Sequence, residues 1–183
     1  MNMDRQIVEE KIKILIQEFK INPDKFLTEE DIRSYLYHLL LSNYNKTETS
    51  ESGSRSISLH NEIRWYGKSR DLNLRSDIVI IDTSTLKTEN SSSFKLPSKG
   101  YWFNVPKIII EIKLRRLNSE SDNTFLNRIG NDRAKIKKLD MELVDKLHSF
   151  LIIFDKKKDI KPKLENSNKR TEYYVYPYEE NGD

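Results

Sequence analysis

Ile108-Ile109-Ile110-Glu111-Ile112-Lys113-Leu114 is an apolar run that ends in charge. Side chains alternate across a strand, so Glu111 and Lys113 share one face while Ile110, Ile112 and Leu114 share the other. The isoleucines occupy both parities at first, which predicts a central strand, buried on both faces, whose polar end is enclosed. A second run, Arg75-Ser76-Asp77-Ile78-Val79-Ile80-Ile81, opens on an acid where the first one closes on an acid and a lysine. Carboxylates are rarely buried without a partner, because stripping water from the charge is costly. Two acids and a lysine at the ends of adjacent buried strands predict a cation site.

Working outward, the chain reads as one domain over residues 1–183, with an N-terminal helix within 1–24, a core over 25–155, and a basic linker with an edge strand over 156–183. Val8, Ile12, Leu15 and Phe19 recur at helical spacing and predict a helix over 4–20, ended by Asn22-Pro23-Asp24. Thr28 and Asp31 resemble a capping box, and Ile32, Tyr35, Leu36 and Leu39 continue it as a second helix over about 28–43. The polar stretch 45–54 reads as a loop. Alternation from Ile57 to Trp65 predicts a half-buried strand, 75–83 a second, and 105–116 a third. Residues 84–104 read as a polar insertion. Phe125, Ile129, Ile136, Leu139 and Leu143 predict a helix over about 124–146, and Phe150 to Phe154 a fourth strand. Tyr173 to Tyr178 reads as an edge strand ended near Pro177. The predicted class is α/β: a mixed central sheet flanked by helices, in the order ααβββαβ(β), with a parallel crossover between the third and fourth strands.

Composition narrows the chemistry. Charged residues make up 33% and hydrophobic ones 36% of the 183 residues, a balance that fits a globular chain and not a disordered one. A net charge of +3 is too small to argue for nucleic-acid binding by itself, so local clustering must carry that argument. The chain has no cysteine, which excludes disulfides, thiolate metal sites and a cysteine nucleophile. Its histidines, His38, His60 and His148, show no zinc-ligand spacing. No apolar run approaches the ~20 residues that span a bilayer, and Met1-Asn2-Met3-Asp4-Arg5 lacks a secretory core, so a soluble intracellular (cytoplasmic) protein with no membrane partner is expected.

On one strand parity the three strands offer His60 and Glu62, then Arg75 and Asp77, then Glu111, Lys113 and Arg115. Hard divalent cations such as Mg2+ or Mn2+ take oxygen ligands, often one or two protein carboxylates plus water and substrate phosphate. Asp77 and Glu111, with Glu62 nearby, supply that chemistry. Lys113 supplies a point charge able to hold an attacking water or a scissile phosphate, and desolvation would lower its pKa. The set fits metal-assisted phosphodiester hydrolysis. The acid-x-lysine spacing alone is weak, since Glu9/Lys11, Glu18/Lys20, Asp155/Lys157 and Asp159/Lys161 repeat it. Only Glu111/Lys113 has an upstream strand bearing an acid at hairpin distance, in Asp77.

This arrangement resembles the PD-(D/E)xK superfamily of restriction-endonuclease-like nucleases, over about Thr28 to Asp155. Asp77 matches the first acid, Glu111 the second and Lys113 the lysine. Glu62 matches an additional acid of some branches. Glu29 resembles a helix glutamate that approaches the metal, and Glu30 is its alternative. The resemblance implies Mg2+-dependent (or Mn2+-dependent) cleavage of nucleic acid, expected to be DNA, often by homodimers. Ser76 stands where the family has proline, and 84–104 must be an insertion. Some members have lost activity, so the alternative is an inactive nuclease-fold module that binds nucleic acid or protein. A small-molecule phosphatase ranks last, because no glycine-rich phosphate loop is present.

Simpler readings exist for each residue. Asp77 could cap its strand or pair with Arg75, Glu62 could pair with Arg64, and Glu111 with Lys113 could be the solvated face of an edge strand. Glu29 and Glu30 suit a helix N-terminus on dipole grounds alone, and His60 suits a polar strand face. Candidate phosphate contacts are Lys68, Arg70, Arg75, Arg115 and Arg116, with Arg128, Arg133, Lys135, Lys137 and Lys138 on the following helix. On that helix, a solvated face balanced by Asp132, Asp140 and Glu142 explains each of them slightly better. Tyr101, Trp102 and Phe103 are candidates to stack on bases.

Overall fold

The structure, a computed structural model, describes residues 3–51, 53, 55–65, 74–85, 106–142, 147–157 and 161–177. Lys68, Arg70, the aromatic trio at 101–103 and most of the expected insertion lie outside them.

Helix α1 (Met3–Ile21) buries the predicted stripe Val8, Ile12, Leu15 and Phe19. Helix α2 (Glu29–Tyr44) begins where Thr28 accepts the Asp31 amide while Asp31 accepts the amides of Leu27 and Thr28, a full capping box. The stretch expected as a loop at 45–54 contributes to a two-stranded ribbon, β1 (Glu48–Thr49) with β2 (Arg55–Ser56). The main sheet follows: β3 (Leu59–Trp65), β4 (Leu74–Ile81), β5 (Pro106–Arg115), β6 (His148–Asp155) and β7 (Arg170–Val175), with α3 (Asp122–Glu142) between β5 and β6. Spatial order equals chain order, β3-β4-β5-β6-β7. The first three strands form an antiparallel meander, and β5-β6 and β6-β7 are parallel. The predicted mixed α/β sheet with a parallel crossover is therefore present. The edge strand begins at Arg170, three residues earlier than the Tyr173 expected from its aromatic run.

The alternation of β5 sets the layers. Ile108, Ile110, Ile112 and Leu114 join Phe150, Ile152 and Phe154 in one large cluster with α1 and α2. Ile109 faces the other way, with Val79, Ile81 and Leu139 of α3. Leu151 and Ile153 meet Phe125, Ile129 and Ile136 of α3. Fully burying each such side chain contributes roughly 1.5–3 kcal/mol, so both faces of β5 and β6 hold the layers together. Strand β5 is the middle of five, which rules out the solvated edge-strand reading of Glu111 and Lys113. No helix among the described residues is long and apolar enough to cross a membrane.

Candidate active site

Asp77 sits where the sheet's backbone pairing lapses on both sides. Toward β3, the ladder pairs Asn61 with Ile78 and Ile63 with Ser76, and skips the Glu62–Asp77 step between them. Toward β5, the ladder starts only at Ile78–Ile110. The Asp77 carboxylate takes over there: Oδ2 accepts the Ile112 amide at 2.8 Å. One residue pair further along β5, Glu29 Oε1 accepts the Leu114 amide at 3.0 Å. The capping box fixes Glu29 as the first residue of α2, and this places its carboxylate over the end of β5. Two acids from different elements thus replace a neighbouring strand.

Glu111 is 0% exposed. Its Oε2 receives the Lys135 ammonium of α3, and its Oε1 has no hydrogen-bond partner. Burial pushes its pKa up to about 8; Lys135 opposes the rise, while the charges of Asp77 and Asp132 add to it. Burial also raises Asp77, against the pull of the Ile112 amide, Lys113 and Lys135. These mutual influences place Asp77, Glu111, Asp132, Lys113 and Lys135 in one electrostatic cluster.

Lys113 departs from expectation. Its burial acts to lower the pKa, but Asp132 and Glu29 outweigh it and the net shift is upward, so the group is held as an ammonium. Nζ lies 2.9 Å from Asp132 Oδ2 and 3.7 Å from Glu29 Oε2, and donates to the Ile112 carbonyl at 3.0 Å. Lys135 Nζ spans Glu111, Asp132 Oδ1 at 3.2 Å and the Arg75 carbonyl at 2.9 Å.

Three expected roles are corrected. Glu62 does not join the acid pair: its carboxylate is taken by Arg33 and by Arg75, the latter at 3.1 Å, and these arginines hold its pKa low. Arg64 acts on it only at longer range. Glu62 also has φ 55°, a left-handed conformation that costs a residue with a Cβ about 1–2 kcal/mol. Arg75 is committed to Glu62 and not to Asp77, whose nearest arginine is Arg33 at 3.8 Å. Arg115 is 0% exposed and bound to Asp155 and Asp122, so it has no surface to offer a phosphate. Of the alternatives on α2, Glu29 faces the cluster and Glu30 pairs with Arg33 at the surface. His60 Nε2 lies 2.8 Å from the Ile57 carbonyl, on its strand and away from the acids. The competing Asp155/Lys157 pair is consumed by structure, since Asp155 belongs to Arg115 and Tyr174.

Arg128 binds Glu29 and Glu120. A cavity of about 340 Å³ opens beside them, bounded by Thr28, Glu29, Leu114, Arg116 and Arg128. It gives the Glu29 end of the cluster access to solvent. The residues sequence reasoning misplaced are Asp132 and Lys135, which read there as a solvated face. The signal was available: Asp132 falls in register with Phe125, Ile129, Ile136 and Leu139, on the stripe that α3 buries.

Comparison with known proteins adds nothing to this geometry: no family model, no curated protein and no solved structure matches the chain.

Glu111 carries a stability prediction. Its pKa is higher folded (about 8) than unfolded (4.5), so the folded protein binds the extra proton between these values. The stabilisation is complete below pH 4.5 and is lost as pH rises through 8. Urea denaturation of wild type against Glu111→Gln, from pH 5 to 9, should show the wild type losing on the order of a few kcal/mol relative to the variant. Parallel pH profiles would show that Glu111 stays ionised throughout.

Proposed function

We propose that the protein is a metal-dependent nuclease that hydrolyses phosphodiester bonds in nucleic acid, DNA being the expected substrate, on a restriction-endonuclease-like core of the PD-(D/E)xK type. The observation that carries this reading is the charge balance of the cluster. Asp77, Glu111 and Asp132 converge on two ammonium groups, Lys113 and Lys135, with Arg33 3.8 Å from Asp77, and burial keeps the Glu111 proton in place up to about pH 8, so that ionising Glu111 as well leaves the buried acids short of positive charge. The nearby Arg33 is committed to Glu30 and Glu62. The shortfall falls at a buried carboxylate oxygen, Glu111 Oε1, that no donor satisfies. A further cation would supply both needs.

The donor chemistry suits magnesium or manganese. Among the described residues no three of His, Cys, Asp and Glu converge as a metal-holding group. A magnesium site, however, commonly uses one or two carboxylates and keeps several waters. Asp77 and Glu111 are the residues that would hold the ion. When bound, such a cation polarises a phosphoryl oxygen and makes a neighbouring water easier to deprotonate. Lys113, held as an ammonium, is no general base; its part is to orient the attacking water or the scissile phosphate by charge. Glu29 steadies it from α2. Lys135 neutralises Glu111 and brings α3 to the site.

That neutralisation favours a second reading. A lysine already seated on Glu111 is also what an inactive nuclease-like binding module would display. One experiment separates the two: incubate plasmid and single-stranded oligonucleotide with Mg2+ or Mn2+, using wild type and Asp77→Asn. The nuclease reading expects cleavage that requires the metal and is lost in the variant. Folded wild type that binds nucleic acid and leaves it intact supports the module instead.

A further inference from the structure

Asp132 occupies a position that the periodicity of α3 assigns to the core. Phe125, Ile129, Ile136 and Leu139 recur at spacings of three and four, and Asp132 falls in that series between Ile129 and Ile136. It is 7% exposed. An acid there is a liability for packing unless its charge is answered, and two ammonium groups answer it: Lys113 at 2.9 Å from one oxygen and Lys135 at 3.2 Å from the other. The second of these is a helix neighbour at i,i+3. The first comes from β5, the sheet strand beneath α3. Of the carboxylates around Lys113, Asp132 is the near one, with Glu29 at 3.7 Å.

We propose that Asp132 is a positioning residue for the reaction: on the α3 face that Lys113 shares with Glu111 by strand alternation, it holds the Lys113 ammonium off Glu29 and on the side of Asp77 and Glu111, and it fixes Lys135 on Glu111 with its other oxygen. The inference rests on the nuclease reading above and deepens it by adding a residue that touches neither metal nor substrate. A side chain on a flexible four-carbon stem, such as lysine, has no fixed direction of its own. Without Asp132, Lys113 retains the Ile112 carbonyl and Glu29, both at the α2 end of the strand. A displacement of about 1 Å in a group that orients a reactant can lower a rate by about 100-fold.

The test uses the full chain as wild type, Asp132→Leu, Asp132→Asn, Asp132→Glu and Asp77→Asn. Three quantities are measured on each: stability in urea, affinity for Mn2+ alone, and kcat with KM for cleavage. Asp132→Leu completes the apolar stripe but takes one partner from two largely buried ammonium groups, so it should cost stability, limited because Lys113 keeps Glu29 and Lys135 keeps Glu111. It should remain folded at lower stability and lose less Mn2+ affinity than Asp77→Asn, as the loss of a nearby charge and not of a ligand, while kcat falls about 100-fold with KM unchanged. Asp132→Asn should fall in the same sense, and it carries the test if the leucine variant does not fold. Asp132→Glu should recover part of kcat. Wild-type kcat in Asp132→Leu overturns the proposal. So does loss of Mn2+ affinity matching that of Asp77→Asn, which would make Asp132 a ligand. A wild type with no Asp77-dependent Mn2+ binding and no cleavage removes the nuclease reading itself and the positioning role with it, whereas an active wild type with an unaffected Asp132→Leu removes only the latter.

Discussion

On the proposed nuclease reading, Lys113→Ala should lower metal-dependent cleavage by about 10²–10⁴-fold and leave the protein folded. The rate loss follows from the state of the amine. Its burial favours the neutral form, but Asp132 and Glu29 outweigh that effect and the ammonium persists. A fixed positive charge in a partly dry site acts on a developing negative charge more strongly than the same charge in water. The fold should survive because each carboxylate partner keeps another one. Asp132 retains Lys135 at 3.2 Å, and Glu29 retains Arg128 and the Leu114 amide. A loss of about 1–3 kcal/mol is the scale expected for one hydrogen-bonded charge. Cleavage of plasmid under single-turnover conditions gives the rate, and urea denaturation gives the stability. A folded variant that cuts at the wild-type rate would remove the lysine from the chemistry.

How far the sequence reveals this site depends on the kind of signal. The sheet was legible because β4 and β5 are runs of isoleucine and valine too short and too β-branched for helices, and the parities of Glu111 and Lys113 follow from geometry alone. The capping box of α2 was legible because it is local. Glu62 was misread because strand parity assumes extended backbone, and its positive φ breaks that assumption at the one residue that mattered. Lys135 and Asp132 were misread because a charged residue on a helix is usually solvated, and only the full stripe from Phe125 to Leu139 exposes the exception. Arg115 was misread because nothing local announces a partner 40 residues away in Asp155. Long-range charge pairing is the property that periodicity does not encode.

The Arg115 pair also carries the largest expected effect on stability. Arg115 and Asp155 are register partners on the parallel strands β5 and β6, and both are 0% exposed. The guanidinium donates from Nε to Asp155 Oδ1 at 2.8 Å and from a terminal nitrogen to Oδ2 at 2.5 Å, and its other terminal nitrogen donates to Asp122 at the start of α3 at 2.5 Å. Its Cζ lies 4.9 Å from the centre of the Phe125 ring. One side chain thus ties the end of β5, the start of α3 and the end of β6, the three corners of the crossover. Burial acts to raise the Asp155 pKa, but Arg115, the Tyr174 hydroxyl and the Lys157 amide prevail and hold it below its usual value. Arg115→Met should cost about 3–5 kcal/mol, because it leaves a buried carboxylate without its cation. Adding Asp155→Leu and Tyr174→Phe should recover part of that loss, since the carboxylate and the hydroxyl that donates to it are then both gone. Urea midpoints of the single and triple variants measure both effects. A surface role predicts something different: a phosphate contact would leave stability nearly unchanged, and its loss would lower the salt dependence of nucleic-acid binding by about one unit of slope. A stable Arg115→Met with that lower slope would return Arg115 to the surface and undo the crossover lock; an unstable one with an unaltered slope fits a residue whose whole charge is spent inside the fold.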